Sequence, residues 1–295
     1  MRTFEGKAFA KLNLYLGIHG LREDGYHELE TLFQAIDLCD LVSISLHNRG
    51  GISLRNNLPY LPCDERNLAY KAAVAFFRAA EMENPGLHIN IKKVIPVGAG
   101  MAGGSTDAAC VLRLLNRAFG MPLSDKKLAA VALTLGADVP FCLMGGTALA
   151  AGVGEKLQRL PDMPGCFFVV GKPAFSVSTK AAFALYDSRP AQKSPSSEAI
   201  CKALARGSVT EVAGAMYNAL EAPIAEEHPL IHEVRQTLLT QGALGARMTG
   251  SGSAVFGIFE TDEEAKKAAR TIRMLCRDVH IVHPLAMRMP GDPEE

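Results

Sequence analysis

Between residues 96 and 109 the chain reads Pro-Val-Gly-Ala-Gly-Met-Ala-Gly-Gly-Ser-Thr-Asp-Ala-Ala, a composition suited to holding an anion. Glycines at 98, 100, 103 and 104 let backbone N–H groups approach a bound group with no Cβ in the way. Ser105, Thr106 and Asp107 follow as side chains able to cap a helix, where four N–H groups lack partners. A helix start favours negative charge, and phosphate is its usual guest. The segment predicts a polyphosphate cradle.

Two better-known glycine loops share part of this pattern. Gly98, Gly100 and Gly103 satisfy G-x-G-x-x-G, but a dinucleotide fold needs a second strand ending in an acid about 20 residues further on. Residues 106–119 and 125–136 read as helices instead, so no such strand is available. The pattern G-x-x-x-x-G-K-[ST] fails from Gly98 because Gly104 replaces its lysine. A plain glycine-rich turn before a capped helix is the remaining alternative, with an entropic cost that a turn alone does not require.

The elements that must position this loop follow from periodicity. Residues 8–18 alternate as a strand, with Leu12, Leu14, Leu16 and Ile18 on one face and Lys11, Asn13 and Tyr15 on the other. Residues 42–46 and 52–54 flank Asn48-Arg-Gly-Gly51 and predict a hairpin. Asp64 is the expected cap of a helix running to about Ala80, and a strand over 87–95 leads into the glycine loop. Further on come a strand at 167–171, a helix reaching Asp187, and a polar Pro/Ser-rich surface connection at 188–200 expected to be mobile. Helices near 209–220 and 229–241 precede a second glycine loop at 245–252. A strand at 254–259, a helix with the capping box Thr261-x-x-Glu264 and a strand near 280–283 follow. The fold class expected is α+β.

At 295 residues the chain is long enough for two domains. A 48% hydrophobic content with zero formal net charge leaves no global field to recruit nucleic acid or a membrane surface. Seven scattered cysteines without a C-x-x-C pair point to reduced thiols rather than a disulfide frame or zinc site. No apolar run of membrane-spanning length and no signal-type segment appears, so a cytoplasmic location is expected.

Three blocks, Ala10-Lys-Leu-Asn-Leu-Tyr-Leu16, Pro96 to Ala109 and Met248-Thr-Gly-Ser-Gly-Ser-Ala-Val-Phe256, make the chain resemble the GHMP-type small-molecule kinases. Arg22-Glu-Asp-Gly-Tyr-His27, Leu135-Gly-Ala-Asp-Val-Pro140 and Gly152-Val-Gly-Glu155 narrow the resemblance to members whose alcohol substrate carries a cytidine diphosphate moiety. Together these stretches span residues 10 to 256. Departures are small: Met101 stands where a leucine is usual and Thr106 where a serine is.

The resemblance implies a two-domain GHMP kinase fold. Residues 1–165 would form a ribosomal-protein-S5-domain-2-like, ATP-binding N-terminal domain, and 166–290 a ferredoxin-like C-terminal domain. Residues 291–295 are expected to be a disordered tail. It implies ATP as cofactor, bound by Pro96, Val97, Gly98, Ala99, Gly100, Met101, Ala102, Gly103, Gly104, Ser105 and Thr106, with Asn67 and Lys93 near the nucleotide. No carboxylate pair in the loop could cage a metal, so Mg²⁺ is expected to come with the nucleotide, and no protein metal ligand is named.

Asp138 is implied as the base and Lys11 as its neighbour; by spacing alone Asp138 could cap a short helical turn and Lys11 could be a solvated strand lysine. Asn13, Tyr26, His27 and Phe183 are implied as substrate-binding, the aromatics around a cytosine. Their alternatives are a strand-edge polar residue, a hairpin turn and a core phenylalanine, just as Asn67 and Lys93 could be ordinary surface residues. The expected partner is thus a small molecule, with no nucleic acid and no membrane, and the protein a monomer or homodimer.

Overall fold

A computed structural model of the chain describes residues 2–23, 25–152, 154, 156–190 and 193–286. The expected tail at 291–295 lies outside the described residues. The first half runs β1 (Arg2–Leu21), β2 (His27–Leu46), β3 (Ile52–Asn56), α1 (Leu68–Ala79), β4 (Leu87–Lys92), α2 (Gly103–Ala118), α3 (Asp125–Leu135), α4 (Val139–Met144), β5 (Thr147–Gly152) and β6 (Lys156–Arg159). The second runs β7 (Phe167–Lys172), α5 (Thr179–Asp187), α6 (Glu198–Ala205), α7 (Val209–Ala215), β8 (Tyr217–Asn218), α8 (Glu221–Glu227), α9 (Leu230–Thr240), β9 (Gly245–Met248), β10 (Val255–Phe259), α10 (Asp262–Ile272) and β11 (Asp278–Val282).

β1 and β2 pair antiparallel from Arg2↔Leu46 to Leu21↔His27 and form the spine of a seven-stranded sheet. Its path is β3-β4-β2-β1-β8, with β5 beside the first part of β2 and β6 beside β5. The register of β1 shifts between Phe9 and Lys11 and again between Asn13 and Tyr15. Such irregularities re-aim side chains. They break the expected two-face alternation, so that Leu12, Leu14 and Tyr15 enter one apolar cluster while Leu16 and Ile18 enter another. Both faces of this strand are covered.

Three cores result. α1 and α2 pack Ala72, Phe76, Val111 and Leu115 onto Val42, Ile44 and Ile89. Leu12 and Leu14 meet Phe168, Ile200 and Phe256, which joins the two halves of the chain. α9 and α10 place Val234, Leu238 and Ala268 against Val169 and Val255.

The second sheet is antiparallel in the order β11-β7-β10-β9. Taken with the helices between β7 and β9 and α10 between β10 and β11, this is a ferredoxin-like arrangement. β8, although it lies in the second half, pairs parallel with β1 at Tyr15↔Tyr217 and Leu16↔Asn218. The end of the described chain returns to β2, where Pro284 bridges Ile36 and Leu285 N–H donates to Ala35 O at 2.9 Å.

Several expectations are corrected. β2 and β3 do not form a hairpin, because β4 inserts between them and pairs with both. Its alternate Leu87, Ile89 and Ile91 are all buried, and that burial outweighs the local turn. Asp64 does not cap α1: Arg66 takes its carboxylate at 2.7 Å, and Asn67 Oδ1 accepts the Ala69 N–H at 2.9 Å instead. The 188–200 connection is partly helical, since α6 begins at Glu198, and Ser194 and Ser197 are buried. The helix expected at 209–220 breaks at Met216 to supply β8. At Thr261 the N-cap half of the box forms, Glu264 N–H donating to Thr261 Oγ1 at 3.3 Å, while the Glu264 carboxylate accepts the Thr261 hydroxyl at 2.7 Å. Among the described residues no helix is long and apolar enough to cross a membrane.

Candidate active site

The phosphate loop ends in an uncapped helix. α2 starts at Gly103, earlier than the expected 106, and its N-cap Ala102 adopts φ 58°, a left-handed conformation, with no side-chain cap. The side chains expected to cap are engaged elsewhere. Thr106 Oγ1 donates to Phe9 O at 2.6 Å, and Asp107 Oδ2 accepts from Lys93 Nζ at 2.6 Å. A helix start without a capping side chain keeps its N–H groups available to an outside acceptor.

This loop lines a cleft of about 1250 Å³. Of the sequence-predicted residues, Pro96 through Ser105, Lys11, Asn13, Tyr26, His27, Asn67, Lys93, Asp138 and Phe183 all line it. Thr106 lies beneath the wall, buried. One space therefore collects residues from β1, β2, the loop before α2, the turn before α4, α5 and the loop after β9.

Lys11 is not a solvated strand lysine. Its side chain is 5% exposed, and Nζ donates to Asn13 Oδ1 at 2.6 Å and to Gly100 O at 2.9 Å. The ammonium also stands 5.2 Å from the centre of the Phe33 ring, within reach of a cation–π attraction. Asp138 Oδ2 lies 3.9 Å from it. Asp138 occupies the N-cap position of α4 but makes no cap hydrogen bond, and its side chain is 36% exposed. The arrangement is a buried cation beside a carboxylate that faces open space. Such a pair can take a proton from a hydroxyl and steady the charge that changes with it.

Asn13 is held on every side. Its Nδ2 donates to Thr31 Oγ1 at 2.8 Å and its backbone N–H to Thr249 Oγ1 at 2.9 Å, with Lys11 on Oδ1. Asn67 uses its amide on α1 and on Pro62 O. Lys93 is also engaged inside the protein. Its Nζ, on a 5% exposed side chain, contacts Asp40 and Asp107 carboxylates and Gly103 O at 3.2 Å. Burial works against that ammonium, but the charges of Asp107 and Asp40 hold its pKa above the usual value. Burial pushes the Asp107 carboxyl up to about 8, and its Oδ1 is buried with no hydrogen-bond partner. A strand-end lysine reads alike in sequence whether it faces solvent or two aspartates, so this grouping was not legible beforehand.

The aromatic residues meet as well. His27 stacks on Phe183 with ring centres 4.8 Å apart, and its Nε2 lies 2.8 Å from Asp187 Oδ1. Tyr26 is 65% exposed at the cleft wall. Phe183 also packs against the third core, so it fits both of its sequence alternatives. Asp187, Thr31 and Thr249 belong to this site without having been singled out individually. Only Thr249 had a signal, its place in the third of the family blocks, Met248 to Phe256.

The pattern described as the GHMP kinases N terminal domain matches residues 67–146, and that described as GHMP kinases C terminal matches 200–277. The chain is 40% identical over 273 residues to a 4-diphosphocytidyl-2-C-methyl-D-erythritol kinase of Caldicellulosiruptor saccharolyticus, covering 92% of this chain and 94% of that one. It is 41% identical over 279 residues to the similarly named protein of Clostridium botulinum strain Eklund 17B, covering 95% and 99%. A crystal structure of a 4-(cytidine 5'-diphospho)-2C-methyl-D-erythritol kinase superposes with a TM-score of 0.82 at 39% identity, covering 95% of this chain and 99% of that chain.

Proposed function

The chain belongs to the GHMP kinase family, and from that premise we propose that it transfers the γ-phosphoryl group of ATP to the 2-hydroxyl of 4-diphosphocytidyl-2-C-methyl-D-erythritol. This is a step of the methylerythritol phosphate route to isoprenoid precursors. One observation carries the choice of acceptor: the stacked His27–Phe183 pair lines the same cleft as Lys11, Asp138 and the glycine loop. Mevalonate and homoserine, acceptors of other kinases of this type, have no base to stack.

Phosphoryl transfer passes through a loose transition state, so positioning and charge stabilisation do most of the work. In this reading the N–H groups of the loop and of the α2 start cradle the polyphosphate. Asp138 takes the proton of the acceptor hydroxyl, and the Lys11 ammonium 3.9 Å away steadies the charge that changes there. Asn13 fixes Lys11, and Tyr26, His27 and Phe183 hold the cytosine.

No group of three or more His, Cys, Asp or Glu among the described residues could hold a metal ion. A Mg²⁺ arriving on the nucleotide would keep several waters, and the Ser105 hydroxyl, which lines the cleft, could serve it there. Bound there, Mg²⁺ supplies positive charge to the β- and γ-phosphates. Residues 1–165 would carry the nucleotide and 166–290 complete the cleft. Seven free thiols and a need for ATP suit the cytoplasm.

A coupled ADP-release assay over a panel of alcohols tests the reading. Turnover with the cytidyl acceptor and none with mevalonate or homoserine is expected. Turnover with one of those instead, or with none of the panel, would overturn it.

A further inference from the structure

We propose that Asn218 and Glu221 are positioning residues for phosphoryl transfer, acting from behind the cleft through the loop of residues 249–252. The proposal rests on the kinase reading above.

Asn218 is 5% exposed and closes β8 beside β1. Its Nδ2 donates to Met248 O at 2.7 Å and to Gly250 O at 2.9 Å. Its Oδ1 accepts the Leu220 N–H at 2.9 Å, so the whole amide is engaged. Glu221 Oε2 accepts the Met248 N–H at 2.6 Å, and Arg235 Nε stands 3.6 Å from Oε1. Two side chains from one short stretch thus hold both polar groups of Met248 and the carbonyl of Gly250. Asn218 is suited to this because only a short amide offers two N–H groups and one acceptor at that reach. Alanine would leave two carbonyls without these donors, and aspartate would face them with negative charge.

The held loop presses directly on Asn13 and the phosphate loop. Thr249 is fully buried, and its Oγ1 accepts the Asn13 N–H at 2.9 Å and lies 3.4 Å from Gly100 O. There is no slack in the contact. A Cβ on Gly100 would fall 2.1 Å from Thr249 O, and one on Gly250 would fall 2.9 Å from Gly100 O. Gly100 O and Asn13 Oδ1 are in turn the two acceptors that fix Lys11 Nζ. A shift of the loop must therefore move Lys11 or the phosphate loop. None of the hydrogen bonds of Asn218 and Glu221 named here goes to Tyr26, His27 or Phe183, so acceptor capture should be spared.

The test is steady-state kinetics with thermal melting of Asn218→Ala, Asn218→Asp, Glu221→Ala and Glu221→Gln. Misplacement of this kind is expected to lower kcat about tenfold to a hundredfold in the first three variants. KM for the cytidyl acceptor should stay within about threefold, because the base pocket is left intact. Glu221→Gln keeps an oxygen for the Met248 N–H and should recover most of the kcat lost in Glu221→Ala. A purely structural role would lower melting temperature and active fraction and leave kcat per folded molecule unchanged. A folded Asn218→Ala with unaltered kcat overturns this proposal alone. Should Asn218→Ala fail to fold, equal kcat in Glu221→Ala and Glu221→Gln overturns it. Absence of turnover by the unmodified chain overturns the kinase reading and this proposal with it.

Discussion

Lys11 Nζ and Asp138 Oδ2 stand 3.9 Å apart, while the same ammonium bonds Asn13 at 2.6 Å and Gly100 at 2.9 Å. The cation is therefore fixed by neutral oxygens and reaches the carboxylate by field rather than by a direct bond. That leaves the carboxylate geometrically available to a hydroxyl. Asp138→Asn keeps the shape and removes the charge, so turnover should fall about 10²–10⁴-fold with acceptor binding retained. Lys11→Met should also lower turnover, and the double variant should be little worse than the poorer single one, because the two act as a unit. Near wild-type kcat in Asp138→Asn would remove it from the role of base.

The uncapped α2 start makes a second prediction. A Cβ on Gly104 would meet nothing within 4 Å, so a branched side chain there projects into the space at the helix start without disturbing packing. Gly104→Val should raise the Kd for ATP at least tenfold, equivalent to about 1.4 kcal/mol and close to the loss of one to two hydrogen bonds. Gly103 is a poorer test, since its Cβ would meet Ile95 at 3.3 Å and Lys93 Nζ at 3.4 Å. Calorimetry showing unchanged ATP affinity in folded Gly104→Val would move the polyphosphate elsewhere.

The stacked rings carry a third. An aromatic stack contributes about 0.5–1.5 kcal/mol, so Phe183→Ala should raise KM for the cytidyl acceptor severalfold and leave KM for ATP unchanged. Cytidine and uridine stack alike, so discrimination between them has to come from polar groups such as His27, whose ring Asp187 orients. His27→Ala should weaken acceptor binding and narrow the preference for the cytidyl over the uridyl form. Equal use of both forms by the unmodified chain would sink the pocket assignment.

How much of this was legible in the sequence differs by range. The glycine loop was legible in residue type and order, whereas Lys11 and Asp138 were singled out only through the family resemblance, their spacing alone leaving a solvated lysine and a helix cap open; the cleft gathers all three. Local turn chemistry misled at 48–51, because a turn states where the chain reverses and not which strand it will lie beside. β8 is two residues long and has no periodicity to detect, so Asn218 could not be placed beside Leu16 in advance. The Lys93 cluster joins residues 40, 93 and 107, and no window along the chain contains all three.

That cluster gives a pH prediction. Burial raises the Asp107 pKa from 3.8 to about 8, so between those values the folded protein binds a proton that the unfolded chain has lost. Stability from this group is then greatest at low pH and falls as pH rises toward 8. Asp107→Asn cannot lose that proton. Its melting temperature relative to the unmodified chain should rise between pH 6 and pH 8.5, read by scanning calorimetry. A constant difference across that range would mean Asp107 is ionised throughout.

β8 beside β1, and residues 284 and 285 beside β2, mean the second half of the chain re-enters the first sheet twice after leaving it at β6. Two lobes joined by a single strap can swing apart; two lobes sewn together at several points cannot rotate without unzipping strand pairs. Entry and exit of reactants therefore fall to the short segments around the cleft mouth, and the molecular envelope should barely contract when both substrates are bound. Small-angle scattering would register that as a nearly constant radius of gyration. It also sets a ceiling on how completely water can be swept out of the cleft. With the halves held together at these points, the acceptor's own bulk should displace much of the solvent around the transferred phosphate.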